Sequence, residues 1–153
     1  MAYQLLGDRR TEGFALSALA TIDLEQGQIA QAHAGYREAV EAYQTVGLLE
    51  SVYASIAGLA TVALASGDVA EALLHIEPIL QYLANEPFKA VDEPIRISLI
   101  CVKVLAAAAD PRAQPMLEQA YWELIERARQ IADPQGREDF LNLIPVHHEV
   151  IAR

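Results

Sequence analysis

The sequence predicts an all-α fold, a right-handed superhelix of about eight antiparallel helices. Its composition favours helices, because 53% of the 153 residues are apolar and only 8 Gly and 7 Pro interrupt them. A segment over residues 19–32, LATIDLEQGQIAQA, recurs over 59–72 as LATVALASGDVAEA. Glycine or proline marks the ends of most segments with helical apolar spacing. Together these observations indicate stacked helical repeats.

Each repeat has the pattern of a helix, a tight turn and a second helix. Gly27 and Gly67 stand where the first helix of each repeat should end, because glycine adopts the left-handed conformation of a helix C-terminus without strain. The apolar positions of the first repeat keep helical spacing on both sides of this turn: Leu16, Leu19, Ala20 and Leu24 before it, and Ala32, Tyr36, Ala39, Val40 and Tyr43 after it. The second repeat shows Ile56, Leu59, Ala60, Ala72 and Ile76 at matching places.

This order of a large residue, Leu, a small residue, a turn and Ala-x3-aromatic resembles the tetratricopeptide repeat (TPR). The aromatic residue usual in the first helix is missing, with Asp23 and Ala63 in its place. The period of 40 residues also exceeds the ~34 of that family, so we expect a TPR-like fold with longer helices. HEAT-type repeats of ~40–47 residues are the structural alternative.

We expect a single domain over 1–153 with five parts. Ala2-Tyr3-Gln4 and Gly7 recur as Ala42-Tyr43-Gln44 and Gly47, so the chain should open in the last turns of a repeat whose beginning is absent. The parts are the end of that repeat (1–7), two full repeats (9–47 and 49–84), a divergent helix pair (92–132) and C-terminal capping helices (133–153). Helix starts are expected at Asp92-Pro94, Asp110-Pro111, Asp133-Pro134 and Pro145, a loop over 85–93, and a proline inside helix 68–84 at Pro78.

The second half carries a further resemblance. Its motifs are Asp92-Glu93-Pro94 with Arg96, Asp110-Pro111-Arg112-Ala113, Leu117-Glu118-Gln119-Ala120-Tyr121, and Arg137-x-x-Phe140-Leu141-x-x-Ile144-Pro145-x-His147. Together they resemble the C-terminal TPR-like ends of large bacterial signalling proteins that join a STAND-type ATPase to a nucleotide cyclase or DNA-binding effector. The resemblance implies a regulatory, partner-sensing array without catalytic residues.

Charge and motifs exclude several classes of function. A net charge of −10 argues against nucleic acid and against anionic membranes as partners. Cys101 is the only cysteine, the N-terminus has no signal-peptide pattern and no apolar run reaches the ~18 residues of a membrane span, so we expect a cytoplasmic protein. No nucleotide-binding, hydrolase or metal motif occurs, and His147 and His148 point ~100° apart on a helix. We therefore expect no enzyme, no metal and no cofactor.

The binding surface is expected where first helices of successive repeats line a concave groove. The groove contacts that this register predicts are Ser17, Thr21, Leu24 and Glu25 from one repeat and Ala57, Thr61 and Leu64 from the next. These positions lack the Lys, Arg and Asn with which TPR proteins hold a peptide carboxylate. Residues 38–88 contain no Lys or Arg but seven acidic side chains, which indicates a solvated acidic rim or, alternatively, a docking face for a basic partner.

An uncovered end of the array is a second candidate surface. Leu5, Leu6, Phe14 and Ile22 are expected to form an exposed apolar edge, because each repeat buries its face on a neighbour. We therefore expect the isolated fragment to be a symmetric homodimer. The function expected is protein–protein interaction and regulation, with other proteins or other domains of the parent chain as partners. The alternative is a small-molecule-sensing domain on TPR-like repeats.

Five further side chains carry expectations of their own. Cys101 lies in an apolar run and should be a small buried hydrophobe. Tyr121 and Trp122 are adjacent, so one should be in the core and the other exposed. His33 and His75 are expected to be interhelical or surface groups.

Overall fold

The computed structural model describes residues 2–85 and 94–153, and every regular element in these residues is an α-helix. The all-α fold of about eight helices predicted from the sequence is confirmed. The helices are α1 (Ala2–Glu25), α2 (Ile29–Thr45), α3 (Leu49–Ala65), α4 (Val69–Asn85), α5 (Pro94–Ala107), α6 (Ala113–Arg129), α7 (Pro134–Asn142) and α8 (Pro145–Ala152). None of the described helices is both long and apolar enough to cross a membrane.

The helices form two compact units, Met1–Asp92 and Glu93–Arg153. In the first unit, α1 packs on α2, α2 on α3 and α3 on α4, and α1 also contacts α3. Short turns join these helices, so consecutive helices are antiparallel neighbours. In the second unit, α5 packs on α6 and α8, and α7 lies against both α6 and α8.

Three glycines end the first three helices in the same way. Gly27, Gly47 and Gly67 have φ of 76°, 70° and 81°, the left-handed region that favours glycine. After each glycine, the next backbone N–H donates to a carbonyl five residues earlier, as Gln28 N does to Asp23 O at 2.7 Å. This is the Schellman ending, which satisfies carbonyls that the helix leaves free. It recurs every 20 residues, which is half of the repeat period.

The core of the first unit is built from small residues on one helix facing an aromatic ring on the next. Tyr36 of α2 lies directly on Gly58 of α3, where an added Cβ would come within 2.6 Å of the ring. Tyr36 shares this core cluster with the buried residues Ala20, Ala32, Leu59 and Val62. Because glycine leaves room for the ring, α2 and α3 approach closely.

The second unit has a core of branched aliphatic side chains. Ile95 and Leu99 of α5 pack with Leu124 of α6 and Val150 of α8. Its later helices begin at the prolines that the sequence indicated. Asp133 caps α7 by accepting a hydrogen bond from Gly136 N at 2.7 Å, with Pro134 at the first helical position. Pro145 likewise begins α8.

The structure differs from the prediction at the start of the chain. No helix ends at Gly7, where the sequence predicted the end of a repeat, because α1 continues through this residue without interruption. Thr11 Oγ1 donates to Gly7 O at 2.9 Å, and Arg9 pairs with Glu12 at 3.0 Å, so local contacts support the helix here. Pro78 lies inside α4 as expected. The expected cap at Asp92 and residues 86–93 of the predicted loop 85–93 lie outside the described residues, whereas Asn85 is the last residue of α4.

Candidate interaction surfaces

The groove positions predicted on α1 contact other parts of the chain. The hydroxyls of Ser17 and Ser55 lie 3.1 Å apart and hydrogen-bond between α1 and α3. Thr21 Oγ1 lies 2.9 Å from the Tyr36 hydroxyl and also donates to Ser17 O. At this level the side chains of the protein itself fill the space between the helices. Leu24 is half-buried, and Glu25 is exposed at the end of α1.

The predicted positions on α3 are mostly enclosed. Ala57 is completely buried, whereas Thr61 and Leu64 are half-buried. Thr61 Oγ1 donates to Ala57 O at 3.0 Å, a bond within its own helix. None of these three side chains presents a charge, so this stretch of α3 offers a partner only small apolar contacts and one hydroxyl.

The outer face of α1, by contrast, presents apolar side chains to solvent. We use this name for Phe14, Ala15, Ala18, Leu19 and Ile22, which share one side of the helix at 100° per residue. Phe14 is 70% exposed, Leu19 59% and Ile22 48%. No charged residue occurs between Glu12 and Asp23. Contiguous exposed apolar side chains of this kind mark interaction sites in many proteins.

The repeat supplies an internal reference for this face. Ala15, Ala18, Leu19 and Ile22 correspond, 40 residues later, to Ser55, Gly58, Leu59 and Val62 of α3. On α3 all four positions are buried, with Tyr36 of α2 lying on Gly58 and Ser17 of α1 bonded to Ser55. The same surface, with the same kinds of residue, is thus covered on one helix and open on the other.

Charged side chains border the outer face of α1 at both ends. Arg10 lies one turn before Phe14, and Glu25 lies just beyond Ile22. Both side chains are exposed, and neither has an ion-pair partner within the part of the chain that the structure describes. Arg10 also borders a surface cavity of about 350 Å³ with Thr11, Phe14, Tyr43 and Ser51.

Two histidines meet one carboxylate between α2 and α4. Glu71 Oε1 lies 3.4 Å from His75 Nε2 and 3.9 Å from His33 Nε2. His75 Nε2 is buried and makes no hydrogen bond. Among residues 2–85 and 94–153 no group of three His, Cys, Asp or Glu side chains is arranged to hold a metal ion. We therefore interpret the cluster as a polar contact between two helices.

A surface cavity of about 500 Å³ adjoins this cluster. Its walls come mainly from α2, with Leu59 of α3, and they include His33, Arg37, Glu38 and Glu41. A volume of this size is typical of small-molecule sites, but such sites are lined mainly by apolar side chains. The charged walls of this cavity fit that description poorly.

In the second unit, two predictions made from the sequence can be compared with the burial of the side chains. Cys101 is completely buried, and burial raises the pKa of its thiol to about 12, so the group behaves as a small apolar side chain. Trp122 is 62% exposed, whereas its neighbour Tyr121 packs against the core. One ring is therefore in the core and one exposed, as the sequence predicted.

Polar contacts tie α8 to the rest of this unit. Lys103 Nζ of α5 lies 2.9 Å from Glu149 Oε1, which Arg153 also contacts at 3.1 Å. The hydrogen bond from Lys103 is the main cause that holds the pKa of Glu149 below its usual value. His147 Nδ1 lies 2.8 Å from Phe140 O and joins α8 to α7. These groups join α8 to α5 and α7.

The predicted acidic segment divides into paired and solvated side chains. Glu71 contacts the two histidines, and Glu77 also has a polar or electrostatic contact. Glu38, Glu41, Glu50 and Asp68 are exposed, and Asp68 caps α4 by accepting from Glu71 N at 2.9 Å. Glu86 lies outside the described residues. The exposed carboxylates are spread over α2, α3 and the turn before α4.

Sequence reasoning missed Leu19 as an exposed residue. Its position in the repeat pattern suggested a core role, yet 100° per residue places it about 100° from the buried Ala20 and close to the exposed Ala15 and Ile22. That angular offset was the available signal. Phe14 and Ile22 were correctly expected at an apolar edge, whereas the side chains of Leu5 and Leu6 lie outside the described part of the chain.

Comparisons with known proteins add no family to these observations. No protein-family model matches the chain, and no curated protein and no solved structure matches it either.

Proposed function

We propose that this chain is a non-catalytic protein–protein interaction and regulatory module, built on TPR-like repeats, of a bacterial cytoplasmic signalling protein. The observation that carries the proposal is the outer face of α1. Its Leu19 is 59% exposed, whereas the equivalent Leu59 of α3 is only 6% exposed beneath α2. A surface that the same fold covers elsewhere with a helix is suited to receive a helix from a partner.

The repeat pattern and the sequence motifs of the second half support the setting of this proposal. Repeat arrays built from helix pairs commonly serve as extended binding surfaces. The resemblance of 92–151 to the ends of STAND-type signalling proteins favours a regulatory role with a nucleotide cyclase or DNA-binding effector elsewhere in the parent protein. The partners are then other proteins or other domains of that parent.

Small-molecule sensing is the alternative, and the cavity on α2 is where it would occur. Its charged walls give it less support than the α1 face has. A thermal-shift screen with metabolites separates the two functions. A reproducible rise in melting temperature with one class of metabolite, abolished by Arg37→Ala in the cavity wall, would favour sensing.

Site-specific photo-cross-linking tests the interaction proposal directly. A photoreactive phenylalanine analogue replaces Leu19 in the protein expressed in bacterial cells. The matched control carries the analogue at Leu74 of α4, which is 74% exposed but belongs to a different helix. We expect position 19, and not position 74, to give discrete cross-linked protein species. Absence of any cross-link at position 19 would contradict the proposed function.

A further inference from the structure

We infer that the partner that covers the outer face of α1 is a second copy of the same helix, packed antiparallel across a two-fold axis. The inference rests on the proposed function and specifies the partner of the same surface. It is carried by three features of α1: exposed apolar side chains around the small residue Ala18, complementary charges at its two ends, and an uncharged stretch between them.

On α3, whose equivalent face is covered by α2, the recess and the aromatic ring that fills it come from two different helices. Where α2 covers α3, the recess is Gly58 and the ring that fills it belongs to Tyr36 of α2. The residue of α3 that corresponds to Phe14 is Ala54, so α3 itself has no large side chain to offer there. The α3 surface is therefore complementary to another helix and not to itself.

The outer face of α1 is different. Ala18 stands at the position of Gly58, and Phe14 is an exposed ring one turn away. A small residue at the centre of an apolar face lets two copies of the same helix approach closely, as a two-fold symmetric interface requires. In an antiparallel pair that crosses near Ala18, Ala18 lies opposite Ala18, and Phe14 of each copy lies opposite Ile22 of the other.

The charges at the ends of the face agree with the antiparallel direction. Arg10 and Glu25 lie on the same flank of the helix as Phe14, at nearly equal distances before and after Ala18. An antiparallel pair that crosses near Ala18 places Arg10 of one copy beside Glu25 of the other, twice by symmetry. A parallel pair would instead place Arg10 of both copies at one end and Glu25 of both at the other, so that no opposite charges would meet.

The size of the face sets the expected affinity. A single helix pair buries less than the ~1,200 Å² that marks the low end of stable specific interfaces. We therefore expect a reversible dimer with a dissociation constant on the order of micromolar or weaker. Sedimentation equilibrium of the full 153-residue chain, at concentrations up to several hundred micromolar, measures this directly.

A charge-exchange cycle tests the direction of packing. Arg10→Glu and Glu25→Arg should each weaken the dimer about tenfold, because each change creates two like-charge contacts per dimer. The double variant should restore the wild-type dissociation constant. Arg129→Glu, at an exposed position on α6, is the matched charge-reversal control and should leave the constant unchanged.

An engineered disulfide tests the crossing point. Ala18→Cys should form a disulfide-linked dimer under mild oxidation, and Leu74→Cys should not. The native Cys101 does not interfere, because its thiol is buried. Far-UV circular dichroism confirms that the variants are folded, which is expected because Arg10, Ala18 and Glu25 are all exposed.

The outcomes distinguish this inference from the proposed function. A monomer at every concentration, or a dimer that neither the charge exchange nor Ala18→Cys affects, would overturn the inference. If Leu19 then cross-links in cells to a different protein, the interaction function stands and only the self-association is wrong. Cross-linking of position 19 to the same protein, together with rescue in the double variant, supports both.

Discussion

The two units of this protein use different means to join and end their helices. In the unit Met1–Asp92, helices end at glycines with positive φ, and a ring on one helix packs onto glycine on the next. In the unit Glu93–Arg153, α7 and α8 begin at prolines, and the core consists of Ile, Leu and Val from three helices. The first arrangement repeats along the chain, whereas the second occurs once.

This difference explains why a surface that is buried on one helix and exposed on an equivalent helix is found in the first unit. Repeated helices carry the same face each time, so the face that is buried on one helix can be compared with the exposed face of its equivalent. The core of the second unit gathers α5, α6 and α8 with side chains from α7 around it, and it contains no second copy of its pattern. The comparison predicts that substitutions act through side-chain volume in one unit and through close helix approach in the other.

The largest effect is expected for Leu124→Ala in the second unit. Leu124 is completely buried in the core cluster, so its truncation leaves a cavity and should cost ~2–5 kcal/mol of unfolding free energy. Urea denaturation followed by far-UV circular dichroism measures the change. The labelling rate of Cys101 reports on the same unit, because a thiol that is buried and whose pKa is raised to about 12 reacts only when the structure opens.

Leu143→Ala is the matched control in that unit. Leu143 is 72% exposed, so its truncation should change the unfolding free energy by no more than ~0.5 kcal/mol. Equal losses from the two substitutions would show that Leu124 does not lie in a packed core, and the description of this unit would then fail.

The next largest effect is expected for Gly58→Ala in the first unit. The added methyl group meets the ring of Tyr36 closer than ordinary van der Waals contact, so the ring or the helix must shift. The shift also strains the hydrogen bond between the Tyr36 hydroxyl and Thr21. Overpacking of this kind costs ~1–3 kcal/mol, although alanine alone would favour a helix over glycine.

Gly7→Ala provides the control for Gly58→Ala in the same unit. Both glycines lie inside helices, but a Cβ at Gly7 meets nothing within 4 Å. We therefore expect Gly7→Ala to stabilise the unit by ~0.5–1 kcal/mol through helix preference alone. If urea denaturation gives the two variants the same sign, close approach at Gly58 is not what joins α2 to α3.

Much of the helical order was predictable from particular residues. Gly27 and Gly67 mark the ends of helices, and the proline after Asp133 marks the start of one. Both signals depend only on local backbone conformation, so they can be recognised without knowing the tertiary structure. Gly7 shows the limit of this reasoning. A glycine ends a helix only when the following residues turn back, and Asp8 to Glu12 instead continue the helix with an ion pair of their own.

The candidate surfaces were less predictable, because they depend on which helix lies against which. The groove residues Ser17 and Thr21 were identified by register, but their bonds to Ser55 and Tyr36 come from positions 38 and 15 residues away. The meeting of His33 and His75 at Glu71 joins α2 to α4, which sequence spacing does not reveal. Leu19 and Leu59 are identical in the pattern and differ only in whether a helix covers them.

The smallest effect is expected for a substitution at a type of helix ending that occurs in both units. In the second unit, α5 ends as the first three helices do, with Asp110 N donating to Leu105 O at 2.8 Å, but the left-handed residue is Ala109 with φ of 53°. An alanine in this conformation is strained by ~1–2 kcal/mol. Ala109→Gly removes the strain but makes the unfolded chain more flexible, so we expect a net stabilisation of ~0.5–1 kcal/mol.

Gly67→Ala makes the reverse exchange in the first unit. A Cβ at Gly67 meets nothing within 4 Å, so the conformation of the backbone is the whole effect, and we expect a loss of ~0.5–1 kcal/mol. Urea denaturation of both variants gives the two numbers. Opposite signs and similar size would show that the units end these helices by one mechanism with different residues. A loss in both would mean that Ala109 is held by contacts which outweigh its strain.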